Sequence, residues 1–385
     1  MKIAILTTEG RDYYRRYQEV TPTFGTAPDA LLQGFAQLPE IEVHVVSCAQ
    51  QPMKSPSKLA ENIFFHSLVV PKIGWMRTGY QGCIRAVRRK MREIKPDIVH
   101  GQGTERDCAI SAVFSGFPNV ITIHGNMRAV ARVSGARPFS YQWLNARLES
   151  FTLPRACGVL CNSAYTEAQV RPCNPRTWRV PNPLRSIFLE QPLALHLANP
   201  VPRIINVGHV CTWKRQVELL AMAKRLHEEG LRFQFEFVGH AEPGNAYAEK
   251  FLEGIRAAEP QGYAIYSGSK DAPALVAALD QADACLHFPT EEAFGLVVAE
   301  ALARNLKFIG AKTGGIGDIA SGVDGAELVE TEDWTGLARA LRFWIERGSP
   351  KPTGAAKQMA ILYHPQVVAA QHVEIYREVL ARPPA

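Results

Sequence analysis

Short apolar runs alternate with longer amphipathic patterns along this chain, and the alternation occurs in two blocks. "KIAILTT", "EVHVVS", "DIVH", "NVITIHG" and "GVLCNS" predict the strands of the first block, and "DALLQGFAQL" predicts a helix. The second block starts at "RIINVGH" and continues through "FQFEFVGH", "YAIYSG", "ACLHFP" and "LKFIGA". Strands that alternate with helices are typical of parallel sheets with helices on both faces. The sequence therefore predicts an α/β protein with two such sheets.

A proline-rich stretch separates the two blocks. Five prolines occur between residues 181 and 202, so no regular element can run through this segment. With 385 residues, the chain is also too long for one ordinary hydrophobic core. We predict an N-terminal domain of residues 1–182 and a second domain of residues 183–363. The pattern over 364–385 predicts a last helix, and the pattern alone does not say which domain it packs on.

Composition and charge exclude several classes of protein. With 46% hydrophobic and 21% charged residues, the chain is globular. No apolar run reaches the roughly 18 residues that span a bilayer, and the first residues lack a signal-peptide pattern, so we expect a cytoplasmic protein. The eight cysteines are scattered, which predicts reduced thiols. The net charge of +6 permits anionic ligands but does not indicate nucleic acid binding.

The segment at 77–95, "RTGYQGCIRAVRRKMREIK", combines basic residues with an apolar stripe at helical spacing. The apolar positions are Ile84, Val87, Met91 and Ile94. One interpretation is a helix that docks peripherally on an anionic membrane. The other, which we favour, is a surface helix whose apolar stripe faces the core of its own domain.

The stretch at 290–303, "TEEAFGLVVAEALA", carries two carboxylates around a predicted turn from strand to helix. Glu292 follows the strand "ACLHFP", and Glu300 lies within the helix that begins near Gly295. Open α/β sheets bind ligands at the carboxyl ends of their strands. Two carboxylates there are suited to accept hydrogen bonds from sugar hydroxyls. The alternative is that Glu292 only interacts with the helix dipole and that Glu300 is a solvated helix residue.

The start of the same helix predicts a site for an anion. Amides in the first turn of a helix have no acceptor within the helix, and the helix dipole places positive charge at that end. The amides concerned are those of Phe294, Gly295 and Leu296. A glycine at this point also lets a ligand approach the backbone closely.

Three further signals follow other predicted strands. Lys214 comes at the start of the helix after "NVGH", where an ammonium group can neutralise a diphosphate. His124 ends the strand in "VITIHGN", where an imidazole can donate to a phosphate or sugar oxygen. "AKTGGIGD" supplies Gly314, Gly315 and Gly317 in another predicted turn from a strand to a helix. A solvated lysine and a structural histidine remain the alternatives for the first two.

The order of these segments resembles glycosyltransferase family 4, the retaining enzymes of the GT-B fold that use nucleotide sugars. The resemblance covers nearly the whole chain and rests on "PTFGTAPDAL", "KPDIVHGQG", "TIHGN", "VPNP", "VGHVCTWK", "FPTEEAFGLVVAEALA" and "TGGIGD". The pattern of two glutamates around "AFG" is the most specific of these. It implies a GT-B fold: two Rossmann-like, doubly wound parallel-sheet domains that face a central cleft. The last helix, 364–385, is then expected to cross back to the first domain.

The resemblance also implies a role for each matched residue. Glu292 is expected to contact the hydroxyls of the donor sugar, and Glu300 those of the ribose. Lys214 is expected to bind the diphosphate, and His124 to reach the donor sugar from the other domain. Glu292, Lys214 and His124 are therefore the expected catalytic residues. The amides at 294–296 are expected to lie near the sugar and phosphates.

Further substrate contacts are implied by the same resemblance. The family commonly has an arginine where this chain has His209, so we expect Lys214 to carry more of the diphosphate binding and Arg215 to compensate. Base contacts in this fold are largely made by the backbone. The remaining expected substrate-binding residues are Gly25, Gly268 and Ser269.

The activity implied is transfer of a sugar from a UDP- or GDP-linked donor to a hydroxyl acceptor, in cell-envelope glycan, lipid or small-molecule glycoside synthesis. No cofactor or metal is expected, because no Asp-x-Asp pair occurs. The acceptor is expected on the first domain, where "EGRDYYRRYQEV" either faces it or is an ordinary polar loop.

Two other functions remain open. "GIGDIA" satisfies the G-x-G-x-x-A pattern of dinucleotide-binding oxidoreductases through Gly315, Gly317 and Ala320, although it follows a late strand of its domain rather than the first. The second alternative is a subunit that binds a sugar nucleotide without transferring it. The presence of His209 gives that alternative some support.

Overall fold

The protein is described here from a computed structural model, which covers residues 1–193 and 199–381 in detail. The chain divides into two compact units. The first contains Met1–Arg185 together with Tyr363–Ala385, and the second contains Ser186–Leu362. The sequence-based division was placed after residues 182 and 363.

The first unit is built on an eight-stranded sheet in the order β3-β4-β2-β1-β5-β6-β7-β8. All neighbouring strands are parallel except β3 and β4, which are antiparallel. The strands are β1 (Lys2–Leu6), β2 (Glu42–Ala49), β3 (Lys58–Ala60), β4 (Ile63–Val69), β5 (Ile98–Gln102), β6 (Asn119–Ile123), β7 (Val159–Cys161) and β8 (Thr177–Arg179). The central strands are continuous apolar runs because both faces of the sheet are covered.

Helices cover the two faces of this sheet. They are α1 (Gly10–Tyr13), α2 (Thr26–Ala36), α3 (Gln81–Ile94), α4 (Asp107–Val113), α5 (Met127–Val133), α6 (Tyr141–Thr152) and α7 (Ala164–Val170), with 3-10 turns at Lys72–Gly74, Met76–Thr78 and Leu153–Arg155. Alternate residues of β1 pack into different cores. Ile3 and Ile5 face the side of α2, whereas Ala4 and Leu6 face the side of α3 and α4.

The last helix, α16 (Pro365–Ala381), belongs to the first unit and packs on α2. A glycine makes this close approach possible. A methyl group added at Gly34 would lie 2.1 Å from the carbonyl oxygen of Pro365. The expectation that the C-terminal helix returns to the first domain is confirmed.

The second unit is built on a six-stranded, fully parallel sheet in the order β11-β10-β9-β12-β13-β14. The strands are β9 (Arg203–Val207), β10 (Gln234–Val238), β11 (Ala264–Tyr266), β12 (Ala284–His287), β13 (Lys307–Ala311) and β14 (Ala326–Val329). The chain order runs outward in one direction from β9 and in the other from β12. The carboxyl ends of β9 and β12 therefore form the switch point at which doubly wound sheets bind ligands.

Eight helices belong to the described part of the second unit. They are α8 (Ile187–Glu190), α9 (Gln216–Glu228), α10 (Ala246–Ala258), α11 (Ala272–Gln281), α12 (Leu296–Ala303), α13 (Ile316–Ala320), α14 (Trp334–Glu346) and α15 (Ala355–Tyr363), with a 3-10 turn at Glu259–Gln261. Phe235, Phe237 and Phe251 are among the largest buried side chains of its core. Both units are thus α/β layers around a parallel sheet, as predicted.

Helix α3 decides between the two interpretations of its apolar stripe. Ile84, Val87, Met91 and Ile94 are all buried in the core of the first unit. The interpretation that the stripe faces its own domain is confirmed, since these side chains are not available to enter a bilayer. Across residues 1–193 and 199–381, each helix is too short or too polar to cross a membrane.

Candidate functional site

A loop at the end of β12 brings a partly buried group of polar side chains together. Glu292 forms an ion pair with Lys214, which reaches it from the loop after β9. The Nε2 atom of His287, the last residue of β12, lies 3.1 Å from the same Glu292 oxygen. Lys214 and His287 are themselves 3.4 Å apart between Nζ and Nε2. Two predicted site residues from neighbouring strand ends therefore meet, and an unpredicted histidine joins them.

The charge states in this group follow from its burial. Burial alone would raise the pKa of the Glu292 carboxyl, but the Lys214 ammonium and the hydrogen bond from His287 outweigh it and hold that pKa well below its usual range. Burial and the nearby ammonium lower the pKa of His287. A neutral His287 donates its Nε2–H to Glu292, so its Nδ1 atom is an acceptor, and Nδ1 has no partner among the described residues.

Backbone contacts fix the two loops relative to each other. The amide of Thr290 donates to the carbonyl of Trp213 at 2.8 Å, so the loop that carries Glu292 is tied to the loop that carries Lys214. The carboxyl ends of β9 and β10 are also packed closely against each other. A methyl group added at Gly239 would lie 1.9 Å from the carbonyl oxygen of Gly208, and Gly239 adopts a φ of 147°. Close backbone packing therefore sets the position of the ion pair.

The turn into α12 places free amides beside Glu292. Gly295 precedes the helix with a φ of 103°, a conformation that favours glycine. The amides of Gly295 and Leu296 have no acceptor within residues 1–193 and 199–381, as expected for a helix start. Phe294 lies in the same turn with its ring buried. The predicted anion site thus lies directly after the carboxylate on which Lys214 is held.

The glycine-rich turn that carries Gly314 and Gly315 packs against this loop and does not form a separate binding loop. The amide of Gly315 donates to the carbonyl of Glu292 at 3.0 Å. A methyl group at Gly314, whose φ is 51°, would lie 1.7 Å from that same carbonyl oxygen. Around Gly317 no atom lies within 4 Å of such a methyl group. Gly314 and Gly315 are therefore needed for packing against residues 292–294, whereas Gly317 is not.

Glu300 lies in α12 with only 4% of its surface exposed. The alternative that it is a solvated helix residue is therefore wrong. Its charge contributes to the raised pKa of the Cys285 thiol, behind the larger effect of burial, so Glu300 faces the sheet rather than solvent. A buried carboxylate at this position agrees with the expected contact to ribose hydroxyls, which stays a prediction.

The remaining predicted donor residues lie at the same edge of the sheet. His209 is exposed, and its ring lies 5.4 Å from that of His240 between centroids, tilted by 34°. Burial and His240 lower the pKa of His209, so it does not supply the positive charge of an arginine. The guanidinium of Arg215 pairs with Glu332 and lies over the ring of Trp334.

The predicted base-binding residues, Gly268 and Ser269, follow the edge strand β11. The carbonyl of Gly268 accepts from the amide of Gly239 at 2.9 Å, and Gly268 has a φ of 66°. Ser269 is exposed. These two residues extend the ligand-binding edge of the sheet from β9 to β11, beyond the ion pair of Lys214.

In the first unit, His124 follows β6 and is held by a glutamine. Its Nε2 atom lies 2.7 Å from Oε1 of Gln102, at the end of the neighbouring strand β5. Burial lowers the pKa of His124 to about 4, which Asn182 partly opposes. A neutral His124 with Nε2–H donated to Gln102 presents Nδ1 as an acceptor, and Nδ1 has no hydrogen bond among the described residues. In this tautomer His124 is suited to accept from a hydroxyl, and its expected contact with the donor sugar stays a prediction.

Behind Gln102 lies a buried network that reaches the last helix. His100 Nδ1 contacts the hydroxyl of Tyr376 in α16 at 2.6 Å, and its Nε2 atom contacts Thr122 at 2.6 Å. Gln102 lies 3.2 Å from His100. The side chain that orients His124 is therefore itself held by residues of the sheet and by α16.

The polar loop after β1 is held together by a buried arginine. Arg11 is fully buried, pairs with Glu9 at 2.9 Å, and donates to the carbonyls of Glu19 and Lys54. The aromatic residues Tyr13 and Tyr14, in contrast, are largely exposed. Gly25 precedes α2, and a methyl group there would meet only Pro28, at 3.6 Å.

Sequence reasoning missed His287 and Gln102. His287 ends the strand whose next loop carries Glu292, and Gln102 ends the strand beside that of His124, but a histidine or glutamine at a strand end carries no signal of its own. Their significance depends on which strands are neighbours. The pairing of β5 with β6 places Gln102 beside His124, and the switch between β9 and β12 places His287 beside Lys214.

Comparison with known families places the chain among the glycosyltransferases. Residues 29–185 match the model of Glycosyltransferase Family 4, and residues 193–359 match that of glycosyl transferases group 1. The chain therefore belongs to glycosyltransferase family 4 and is a transferase. A comparison with curated proteins gave no significant sequence match.

Solved structures with the same fold are glycosyltransferases. Sucrose-phosphate synthase from Thermosynechococcus elongatus is 18% identical, with a TM-score of 0.77 over 99% of both chains. The Anabaena protein HepE, in complex with UDP and glucose, is 16% identical, with a TM-score of 0.68 over 98% of this chain and 100% of that one. The lipopolysaccharide outer core galactosyltransferase WaaB is 15% identical, with a TM-score of 0.68 over 98% of this chain and 99% of that one. The fold is GT-B, as the sequence resemblance implied.

Proposed function

We propose that this glycosyltransferase moves a sugar from a UDP- or GDP-linked donor to a hydroxyl of its acceptor, with retention of the anomeric configuration. The observation that carries the proposal is the partly buried group of Lys214, Glu292 and His287 beside the free amides of Gly295 and Leu296. This arrangement offers positive charge and amide donors for phosphates together with acceptors for hydroxyls. The complex of HepE with UDP and glucose supports a donor of this chemistry.

Lys214 is able to serve Glu292 and a phosphate together. An ammonium group has three donors, so one can remain on Glu292 while others bind phosphate oxygens. Departure of the nucleoside diphosphate builds negative charge on its phosphate and positive charge on the sugar. Lys214 and the amides at the start of α12 stabilise the first, and the carboxylate of Glu292 stabilises the second.

The proposed reaction uses no nucleophile from the protein. The leaving phosphate oxygen takes the proton from the acceptor hydroxyl on the same face of the sugar, and we assign no side chain to that step. Turnover is also proposed to be independent of divalent metal, because Lys214 and the helix amides already neutralise the phosphates. The proposed acceptor belongs to the synthesis of a cell-envelope glycan, a lipid or a small-molecule glycoside.

A subunit that binds a sugar nucleotide without transferring it is the second candidate. The lowered pKa of His209 favours it, since the charge that an arginine would supply is missing there. Donor binding without transfer under single-turnover conditions would support this candidate.

A thermal-shift screen with UDP-, GDP- and ADP-sugars tests the proposal. A ligand at a hundred times its dissociation constant stabilises the folded state by about 2.7 kcal/mol. We expect one class of nucleotide sugar to stabilise the protein, and the Lys214→Ala variant to lose that shift. Lys224→Ala is the matched control, because Lys224 lies exposed near the far end of α9. Absence of a shift with every nucleotide sugar would contradict the proposed donor class.

A further inference from the structure

Two thiols and a carboxylate meet in the core of the first unit, outside the groups described above. Cys48 lies on β2, Cys83 on α3, and Asp107 is the first residue of α4. All three are buried, and their potential ligand atoms all lie within 4.8 Å of one another. Spacings of this size do not follow from any sequence motif, because the three residues come from three different elements.

We propose that Cys48, Cys83 and Asp107 bind a thiophilic divalent cation of the zinc class. Thiolate sulfur selects zinc and similar soft ions, and a carboxylate oxygen is a common companion ligand. A tetrahedral ion with metal–sulfur bonds of about 2.3 Å separates its two sulfurs by about 3.8 Å. The upper limit of 4.8 Å on the distances between the ligand atoms is compatible with that spacing. Three protein ligands leave the fourth position for water.

The surroundings of Asp107 favour a cation. Arg106, its neighbour, forms its ion pair with Asp12 at 4.0 Å and lies over the ring of Trp75 at 5.1 Å. Thiols, the other close groups, are weak hydrogen-bond donors. A cation would stabilise this buried carboxylate, because the two thiols beside it supply no positive charge.

Most of the ligand charge is compensated when the ion is bound. Binding displaces one proton from each thiol into solvent, so two thiolates and one carboxylate surround a dication and a single negative charge remains. Arg106, whose guanidinium pairs with Asp12, is the residue next to Asp107 in the chain. Cys48 and Asp107 retain exposed fractions of 7% and 5%, which gives the ion and the displaced protons a route.

The ion would join three elements of the first unit. Asp107 begins α4 directly after the loop that follows β5, and Gln102 ends β5. Tethering the start of α4 to β2 and α3 therefore restrains the segment on which Gln102 is held. The proposed role is structural stabilisation of the first unit, not participation in transfer.

Cobalt titration of the tag-free, reduced and chelator-treated full chain tests the proposal. We expect one equivalent of Co²⁺ per chain to give thiolate-to-cobalt charge-transfer absorption and the visible bands of a tetrahedral site. Zn²⁺ should displace the cobalt and raise the melting temperature. Cys83→Ser and Asp107→Asn should each weaken cobalt binding at least tenfold. Cys161→Ser, a buried thiol in the same unit, is the matched control and should bind normally.

Three outcomes would overturn the proposal. The first is an absence of charge-transfer absorption in the wild-type titration, which needs no variant to fold. The second is unchanged absorption in Cys83→Ser, which would place the ion on other thiols. The third is a thiol count of six in the unreduced, denatured protein with Cys48 and Cys83 protected, because a disulfide between them would leave no thiolates for a metal.

Discussion

Glu292 and Glu300 differ in surroundings, although they lie on one short segment. Glu292 is ionised against Lys214 and faces the start of α12, whereas Glu300 is buried within the helix. In the proposed reaction only Glu292 is next to the sugar whose charge changes. The two carboxylates are therefore expected to differ in which kinetic constant they affect.

Substitution tests this division of labour. Glu292→Gln should mainly lower kcat, since it removes a charge that acts in the transition state. Glu300→Ala should weaken nucleotide binding by about 1–3 kcal/mol, as for a lost hydrogen bond to a charged group. Calorimetric affinity and single-turnover rate for each variant provide the readout. Normal nucleotide binding by Glu300→Ala, or a wild-type rate for Glu292→Gln, would refute the assignment.

Turns and helices position these residues through close backbone contacts. The peptide of Glu292 rests against Gly314 and Gly315, so the carboxylate is placed by a turn from a different strand. Gly314→Ala should therefore lower both stability and transfer rate, because its methyl group meets the carbonyl oxygen of Glu292 at 1.7 Å. Gly317→Ala is the control and should leave both near wild type. Equal effects of the two substitutions on the measured rate would contradict the packing role.

Helix α16 provides a second test at this scale. Gly34→Ala should destabilise the protein by about 1–3 kcal/mol or more, because the added methyl group overlaps the backbone of Pro365. Gly25→Ala, at the start of the same helix α2, has room for its methyl group and should change stability by less than about 0.5 kcal/mol. Urea unfolding measures both. A small effect at Gly34 would mean that α2 and α16 are packed more loosely than described.

Sequence patterns predicted the elements better than their contacts. Alternation of strands and helices predicted both sheets, and the turn from β12 to α12 located Glu292, because these signals are local. His287 and Gln102 were missed because their partners lie on other strands. The burial of Glu300 was left open for a related reason: a helix start of small apolar residues does not show which face packs on the sheet.

Acid should destabilise the molecule as a whole through its buried histidines. Burial lowers the pKa of His124 and His372 to about 4, and it holds that of His100 well below its usual value. The unfolded chain, with histidine pKa values near about 6.5, takes up these protons first. The free energy of unfolding should therefore be highest above about pH 6.5 and fall as the pH decreases toward 4.

Urea unfolding across that range checks the acid prediction. His372→Leu should flatten the decline, since it removes one of the groups that protonate only on unfolding. His364→Leu is the control. His364 lies just before α16 and does not belong to that set of buried histidines. A free energy of unfolding that is independent of pH between 7 and 5 would contradict the buried, neutral state of these imidazoles.

Calorimetric titration of UDP and GDP in the presence of EDTA tests the central claim, that Lys214 and the α12 amides bind a nucleoside diphosphate without metal. Chelation would remove the cation proposed at Cys48 and Cys83, but that site lies in the other unit. We predict one site per chain for one of the two nucleotides, with Lys224→Ala unchanged and Lys214→Ala weaker by about 1.5–3 kcal/mol, typical of charged hydrogen bonds. Binding that requires Mg²⁺ or Mn²⁺, or full affinity in Lys214→Ala, would contradict the account.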